Sequence, residues 1–440
     1  MKKPAFLAGY GLSFFFVSIL FFYGCNKQDQ LLAPSLAVHV TYTLPEKNQQ
    51  GFAYNDNVAA VLNQLVDTSH FFITLTVSKD DTVIQGAVKT EDSLVTFVPE
   101  TELLSSTSYT ATLTLTKKGT PLPVYKYQWN FTTKEPDAYR MTQRSTHVTD
   151  FVRDGSMNMQ IGNFFYSFGG WTDNGGQVSY NDVYRSSGDL STWEKMPDAP
   201  WHPRHVFGCV KKDGKVWVLG GDNLDTNWDL WNSEDGLSWT KINPSNPEQI
   251  GQRLFAGYCT HKIGNKEWLY IVGGYGFKDI LRSLDGITWE TVTTNVPALA
   301  SPELPEGEGF SNAVASFNGN LYLICGGGGM AWGPPRKTVF KSTDNGITWQ
   351  QMPDFPGAPR RYTNVTVFDG KIWVVGGYND NSVGNLPDVW YMTKNGTWYQ
   401  FPTPPEYVGR HATGVEVYNN NLVITCGNYN NDCWVIEKIK

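Results

Sequence analysis

Charge is what this chain has least of. Only 18% of its 440 residues are Asp, Glu, Lys or Arg, which points away from helical bundles and disordered chains. The balance is acidic, with a net charge of -7, and a protein that grips nucleic-acid phosphates would need a basic surface. Cysteine is scarce too. Beyond Cys25 there are Cys209, Cys259, Cys325, Cys426 and Cys433, with no C-x-x-C pair and no zinc spacing. They read as buried thiols in apolar strands, and only Cys426 and Cys433, flanking a short loop, are candidates for a disulfide. No P-loop, dinucleotide fingerprint, helical zinc motif or serine elbow occurs. What the chain does have is 43 Gly, 16 Trp, 22 Tyr and 24 Phe, the composition of an aromatic-rich β protein. Its length calls for two or more domains.

The N-terminus speaks to the compartment. Lys2 and Lys3 precede an apolar run from Ala5 to Tyr23, followed by Gly24-Cys25 and polar Asn26-Lys27-Gln28-Asp29. A charged start, a hydrophobic stretch and a small residue before the cleavage point describe a secretory signal. Cysteine directly after that small residue resembles the bacterial lipobox, with Tyr23 an unusual neighbour. The resemblance implies a signal peptide over 1–24, lipidation of Cys25, a tether over 25–34 and a body held at the bacterial cell envelope through the lipid anchor. The alternative is a transmembrane anchor, since the run is nearly long enough to span a bilayer.

Residues 35–134 alternate strand-like runs with turns: FFITLTV (71–77), SLVTFVP (93–99), SYTATLTLT (108–116) and YKYQWNFTT (125–133). Period-2 patterning of this kind predicts a small antiparallel sandwich. LLSSTSYTATL (103–113) ahead of WNFTT resembles the bacterial Ig-like domains that act as spacers, which implies a corner role for Tyr109. KEPDA (134–138) is the linker.

The remainder repeats. Double glycines stand at 169–170, 220–221, 273–274, 326–327 and 376–377, with Cys426-Gly427 as a degenerate sixth, at intervals of 51, 53, 53, 50 and 50 residues. Each ends an apolar strand that follows a tight turn, as in DGKVWVLGG and NGNLYLICGG, and Asp-Gly or Asn-Gly is what a two-residue hairpin turn requires. A third strand follows, then a fourth opening on Trp193, Trp239, Trp289, Trp349 or Trp398. Four strands at a period near fifty predict a propeller. Residues 138–440 resemble a six-bladed kelch-type propeller related to the central domain of galactose oxidase. The sixth repeat stops after its third strand, NDCWVIEKI (431–439), and AYRMTQRS (138–145) is the obvious donor of its fourth. The expected fold is therefore all-β, an Ig-like sandwich followed by a propeller closed by an N-terminal strand.

STDNGITW (342–349), SEDGLSW (233–239) and SLDGITW (283–289) resemble the Asp-box of sialidases and other propeller glycosidases. All three connect third to fourth strands, which places them on the face away from the strand-one entrances. Their residues suit a turn: aspartate accepts from turn amides, glycine takes the positive φ, and tryptophan packs between blades.

On the opposite face the chain enters strand one with Arg153-Asp154, Arg204-His205, Arg253, Arg360-Arg361-Tyr362 and Arg410-His411, and with Glu308 in the fourth repeat. Shortly after the double glycines come Trp171, Tyr275, Trp332, Tyr378 and Tyr429. Guanidinium groups bind carboxylates bidentately and aromatic faces stack on sugars. The expectation is a carbohydrate-sized, anion-tolerant pocket at the channel mouth. The alternative keeps the arginines in the repeat, bonded to carbonyls between blades.

Three functions follow from the resemblance. The first is a monomeric envelope lipoprotein that binds a glycan, acidic ones included, or a protein, without cofactor, metal or nucleic acid. The second is a carbohydrate-active enzyme, a sialic-acid mutarotase or sialidase, for which Arg153, Arg360, Arg410, Tyr362, Glu308 and Asp154 supply the residue types, although the opening Arg-Ile-Pro of sialidases is absent. The third, a copper radical oxidase, lacks the expected Tyr-His pair, and His205 and His411 belong to nonadjacent repeats.

Overall fold

The computed structural model describes residues 38–439 except 55, 66–70, 121, 136, 174–177, 222–228, 252, 275, 295, 297–312, 328–333 and 381–383. The expected signal peptide over 1–24, the expected tether over 25–34 with Cys25, and Tyr275, Glu308 and Trp332 lie outside the described residues. Apart from one short helical turn, Pro247–Ile250, regular structure in the described residues is β.

The N-terminal body is a sandwich. One sheet runs Val40–Leu44, Val58–Leu62, Leu94–Pro99, Gly86–Glu91, and the other Gln49–Phe52, Pro123–Thr133, Ser108–Lys117, Phe71–Lys79, Thr82–Val83. The alternating pattern of Ser108–Lys117 sends Tyr109, Ala111, Leu113 and Leu115 inward, against Trp129 and Phe131. The Leu104 N–H donates to the Tyr109 hydroxyl at 2.7 Å, the loop-to-sheet tie expected of that tyrosine.

Six four-stranded antiparallel sheets follow, with first strands Met157–Ile161, Gly208–Lys212, Gly257–Ile263, Val314–Phe317, Asn364–Phe368 and Gly414–Tyr418. These first strands touch in sequence order, and the first also touches the sixth. The outer strand of the sixth sheet is Tyr139–Ser145, paired antiparallel with Cys433–Lys438 from Tyr139↔Lys438 to Ser145↔Cys433. Between neighbouring sheets lie apolar clusters, such as Trp373, Phe401, Ile424 and Trp434 between the fifth and sixth. The double glycines are needed where sheets meet. At Gly376, φ is 56° and an added Cβ would stand 2.3 Å from the Arg410 carbonyl oxygen of the next sheet, so only glycine fits.

The two bodies are joined by polar contacts around the linker. The buried Asp137 carboxylate receives Lys134 at 2.7 Å, Lys371 at 2.8 Å and Lys438 at 3.1 Å, and the Tyr54 hydroxyl at 3.2 Å. Burial alone would raise this carboxyl, but the three lysines hold it well below the usual carboxylate range. Lys394 also pairs with Asp56, and the Tyr399 hydroxyl donates to Glu102. Beyond Cys25, the cysteines are all free thiols, Cys426 and Cys433 included.

Candidate binding site at the channel mouth

The five repeat arginines converge on one arrangement, and it is directed into the fold. Arg410 is completely buried and places both terminal nitrogens on Asp432, at 2.7 and 3.1 Å. Its Nη1 also donates to the Cys426 carbonyl, its Nε to the Val408 carbonyl, and its guanidinium lies 4.2 Å from the centre of the Tyr407 ring. Arg360 repeats this with Asp388, the Gly376 and Ala358 carbonyls and Phe355. Arg253 does so with Asp279, the Gly273 carbonyl and Phe277. Arg204 holds Asp229 and the Gly220 carbonyl. Arg153 pairs with Asp182 and stacks on Tyr180.

The expectation that these arginines face a ligand is corrected for Arg204, Arg253, Arg360 and Arg410, whose guanidinium donors are taken up inside the fold. The pairs at Arg253, Arg360 and Arg410 are bidentate and occupy the fork of donors that a ligand carboxylate would need. Arg204 and Arg153 each reach their aspartate through one nitrogen, and Nε and Nη1 of Arg153 are buried without a hydrogen-bond partner among the described residues. The partner aspartate comes from the third strand of the same sheet, or the residue just before it, so the pair fastens the entrance of strand one to its own sheet. The arginine backbone does the converse. Its carbonyl accepts from a glycine N–H of the preceding sheet: Gly170 to Arg204, Gly326 to Arg360, Gly377 to Arg410 and Gly427 to Arg153, at 2.8–2.9 Å.

Two residues beyond each arginine the backbone turns left-handed. Gly155, Val206, Phe255, Tyr362 and Ala412 have φ of 63°, 49°, 56°, 54° and 46°. This region is uncommon for any residue but glycine and unfavourable for a β-branched one. It persists because these residues link sheet to sheet: the Ala412 N–H donates to the Tyr362 carbonyl, Gly155 to Ala412 and Val206 to Gly155, at 2.8–2.9 Å. The result is a girdle of backbone hydrogen bonds at the head of the first strands.

The side chains flanking that girdle do come together, as a rim. The Trp171 ring stacks on His205 at 5.9 Å between centroids, His205 meets Phe255 at 6.3 Å, and Phe255 of the third sheet meets Tyr362 of the fifth at 5.5 Å. Tyr362 and Tyr378 lie 5.5 and 5.3 Å from His411. His411 is placed by Asn385, 2.5 Å from Nδ1, and by Asp154, 3.4 Å from Nε2. Arg361 is buried, pairs with Asp380 at 2.5 Å, and lies over the Tyr362 and Tyr378 rings. Tyr429 is exposed and its hydroxyl donates to Asp173. Trp171, His205, Phe255, Tyr362, Tyr378 and His411 are all partly exposed. Phe255 had no signal in the sequence beyond its offset of two from Arg253.

Beneath the rim the six first strands enclose a channel cavity of about 390 Å³. Its lining is largely uncharged but mixed in polarity, with Met157, Met159, Val206, Val365 and Val415 beside Asn158, Gln160, Thr260, Ser316, Asn364 and Thr366. Among the described lining residues the acid is Glu416 and the basic group is Lys211. Burial pushes the Glu416 carboxyl up to about 7, against the pull of the Val417 N–H, 2.8 Å from Oε1, and of Lys211. Sequence reasoning missed Glu416 because it occupies an ordinary alternating position in GVEVY. Only the closing of six strands around it makes that position an interior one.

The Asp-box turns lie at the other end of the first strands. Asp344 accepts the Thr348 N–H at 2.9 Å, the Gly346 N–H donates to Ser342 Oγ, and the Trp349 indole donates to the Gly346 carbonyl. Asp235 and Asp285 accept the same kind of turn amides. The turns also pack on the preceding sheet: an added Cβ on Gly236 would meet Ile161 and Tyr166, and one on Gly286 would meet Trp217. His261 and the Tyr270 hydroxyl contact Asn345. These turns are structural joints.

Comparison with known proteins agrees with this two-part organisation. A bacterial Ig-like domain matches residues 35–133, and a kelch motif matches residues 359–405. The chain is similar to N-acetylneuraminate epimerase of Yersinia enterocolitica, 32% identical over 107 residues, covering 22% of this chain and 26% of that protein. It is 28% identical over 134 residues to N-acetylneuraminate epimerase 1 of Escherichia coli O6:H1, covering 29% and 34%. Xyloglucanase Xgh74A of Acetivibrio thermocellus is 27% identical over 264 residues, covering 51% of this chain and 28% of that protein. The chain thus spans about a quarter to a third of the length of the curated relatives it matches.

Proposed function

We propose that the six sheets are the blades of one closed propeller and that its strand-one face binds carbohydrate. The chain is then a monomeric lipoprotein of a bacterial envelope, cleaved before Cys25, with the Ig-like domain between the lipid and the propeller. The observation that carries the reading is the rim of Trp171, His205, Phe255, Tyr362, Tyr378 and His411, with Asp154 among them. Aromatic faces at a channel mouth stack on the C–H faces of sugar rings, while Asp154, His411 and Asn385 offer hydrogen-bonding groups for hydroxyls. Arg204, Arg253, Arg360 and Arg410, paired inside their own sheets, have no part in this recognition. The test is a glycan array read with the wild-type chain and with Trp171→Ala and Tyr378→Ala. Each variant should lose about tenfold or more in affinity for the best glycan, roughly 1.4 kcal/mol. A hit that neither change weakens would rule out the rim, and a protein hit with no glycan hit would favour a protein ligand.

A second reading is a carbohydrate-active enzyme, favoured by the similarity to epimerases of N-acetylneuraminate. Asp154 and His411 are the pair that would move protons at this mouth. A lectin leaves the anomers of N-acetylneuraminate interconverting at their spontaneous rate. An enzyme of this kind accelerates the exchange, seen by nuclear magnetic resonance, and loses the effect in His411→Gln.

A further inference from the structure

We propose that the channel beneath the rim is a second binding cavity, selective for a polyol or sugar bearing an amine, whose ammonium group is held by Glu416. The proposal rests on the carbohydrate reading and narrows it from sugars in general to basic ones.

Three features lead there. The first is charge. With the repeat arginines paired inside their own sheets, no guanidinium lines the cavity among the described residues, and Glu416 is its acidic group. Lys211 shares the lining and lowers the Glu416 carboxyl, but it is exposed, so solvent screens its charge. The second is desolvation. Glu416 stands between Val415 and Val417 in a largely neutral wall, and its hydrogen bond within the chain is the Val417 N–H. Glu416 is half-buried and has lost part of its hydration, and an ammonium within hydrogen-bond reach restores the lost interactions. A ligand carboxylate in the same place would meet a like charge. The third is size and texture. A cavity of about 390 Å³ suits a monosaccharide-sized ligand. Its methionine and valine walls fit C–H faces, while Thr260 and Thr366 offer hydroxyls.

The pH dependence has a definite sign. The Glu416 carboxyl, raised by burial to about 7, is mostly protonated at pH 6 and mostly ionised at pH 8. The other groups around it are Lys211 and Cys209 of the second sheet and Tyr258 and Cys259 of the third. The flanking strands Met157–Ile161 and Asn364–Phe368 bring no titratable side chain. Burial pushes both thiols and the Tyr258 phenol upward, which leaves Glu416 as the group that changes charge across this range.

The experiment is calorimetric titration of the full chain at pH 6 and pH 8 with three ligands of one hydroxyl skeleton: N-methyl-D-glucamine, sorbitol and gluconate. The amine ligand stays protonated throughout. It should bind best of the three and tighten roughly tenfold from pH 6 to pH 8. Sorbitol should bind more weakly with little pH response, and gluconate weakest. Glu416→Gln should flatten the amine's pH response. Lys211→Met removes a cation that lowers the Glu416 carboxyl, so it should move the response to higher pH. Gluconate binding tighter than the amine, an amine affinity that ignores pH, or no amine binding at all would overturn the proposal. If Glu416→Gln does not fold by circular dichroism, the wild-type Glu416 carboxyl is followed by carbon-13 resonance. The amine must lower its pKa, and an unmoved pKa is equally fatal. Glycan binding that still depends on Trp171 in the absence of any amine effect would remove this inference and leave the carbohydrate reading intact. Loss of both would remove both.

Discussion

Arg410 concentrates in one side chain the problem of reading function from a repeat. Its guanidinium is fully buried and is met by both oxygens of Asp432 and two carbonyls. Removing one partner of a buried pair leaves the other charge uncompensated, which costs about 3–5 kcal/mol, whereas replacing both by apolar groups costs far less. Arg410→Met should therefore destabilise the chain by about that amount in urea denaturation, and Arg410→Met with Asp432→Leu should recover most of it. A ligand role predicts the opposite pattern, with affinity lost and stability kept. Trp171 stands on the other side of that division. It is partly exposed on the rim, so Trp171→Ala should reduce sugar affinity with a change in stability of only about 0.5 kcal/mol.

Among the elements, the Asp-box turns set a testable acid limit. Asp235, Asp285 and Asp344 are partly desolvated, which alone would raise their carboxyls, yet turn N–H groups and hydroxyls hold all three below the ordinary value, Asp235 at about 2. A carboxyl depressed on folding stabilises the native state above its unfolded pKa, about 3.9. That contribution fades as pH falls through the folded pKa. The wild-type chain should lose stability between about pH 4 and pH 2, and the triple variant Asp235→Asn, Asp285→Asn, Asp344→Asn should show a shallower decline from a lower starting point. Thermal melts across that range measure both, and sugar affinity at pH 7 should not change.

At the scale of the whole molecule, two contacts join distant parts of the chain. Tyr139–Ser145 pairs with Cys433–Lys438 along nearly its full length. Deleting 138–145 would expose the unpaired backbone edge of Cys433–Lys438, a strand whose Cys433, Trp434, Val435 and Ile436 are all buried, and exposed edges invite pairing with other chains. The truncated protein should form larger species than the full chain on size-exclusion chromatography with light scattering. Asp137 is the second joint, gathering lysines from the Ig-like domain, the fifth sheet and the final strand. Asp137→Ala leaves Lys371 buried without this partner, and the variant should show a larger radius of gyration by small-angle scattering as the two bodies separate.

The sequence by itself determined the architecture in its local parts. Double glycines and distal tryptophans recur because each repeat meets its neighbour in the same way, and hairpin turns recur because backbone geometry within a few residues requires them. The corner tyrosine Tyr109 and the outer turns such as STDNGITW were legible for the same reason. Only the tertiary structure decided where each arginine points. An arginine beside the head of strand one can turn outward to solvent or inward to an aspartate more than twenty residues away, and the choice depends on the Asp432-type partner that folding brings within reach. The same holds for Glu416 and Phe255. Neither carries a motif, and each acquires its position when strands from six repeats meet around one channel, where local pattern has no information about which side chains will share a space.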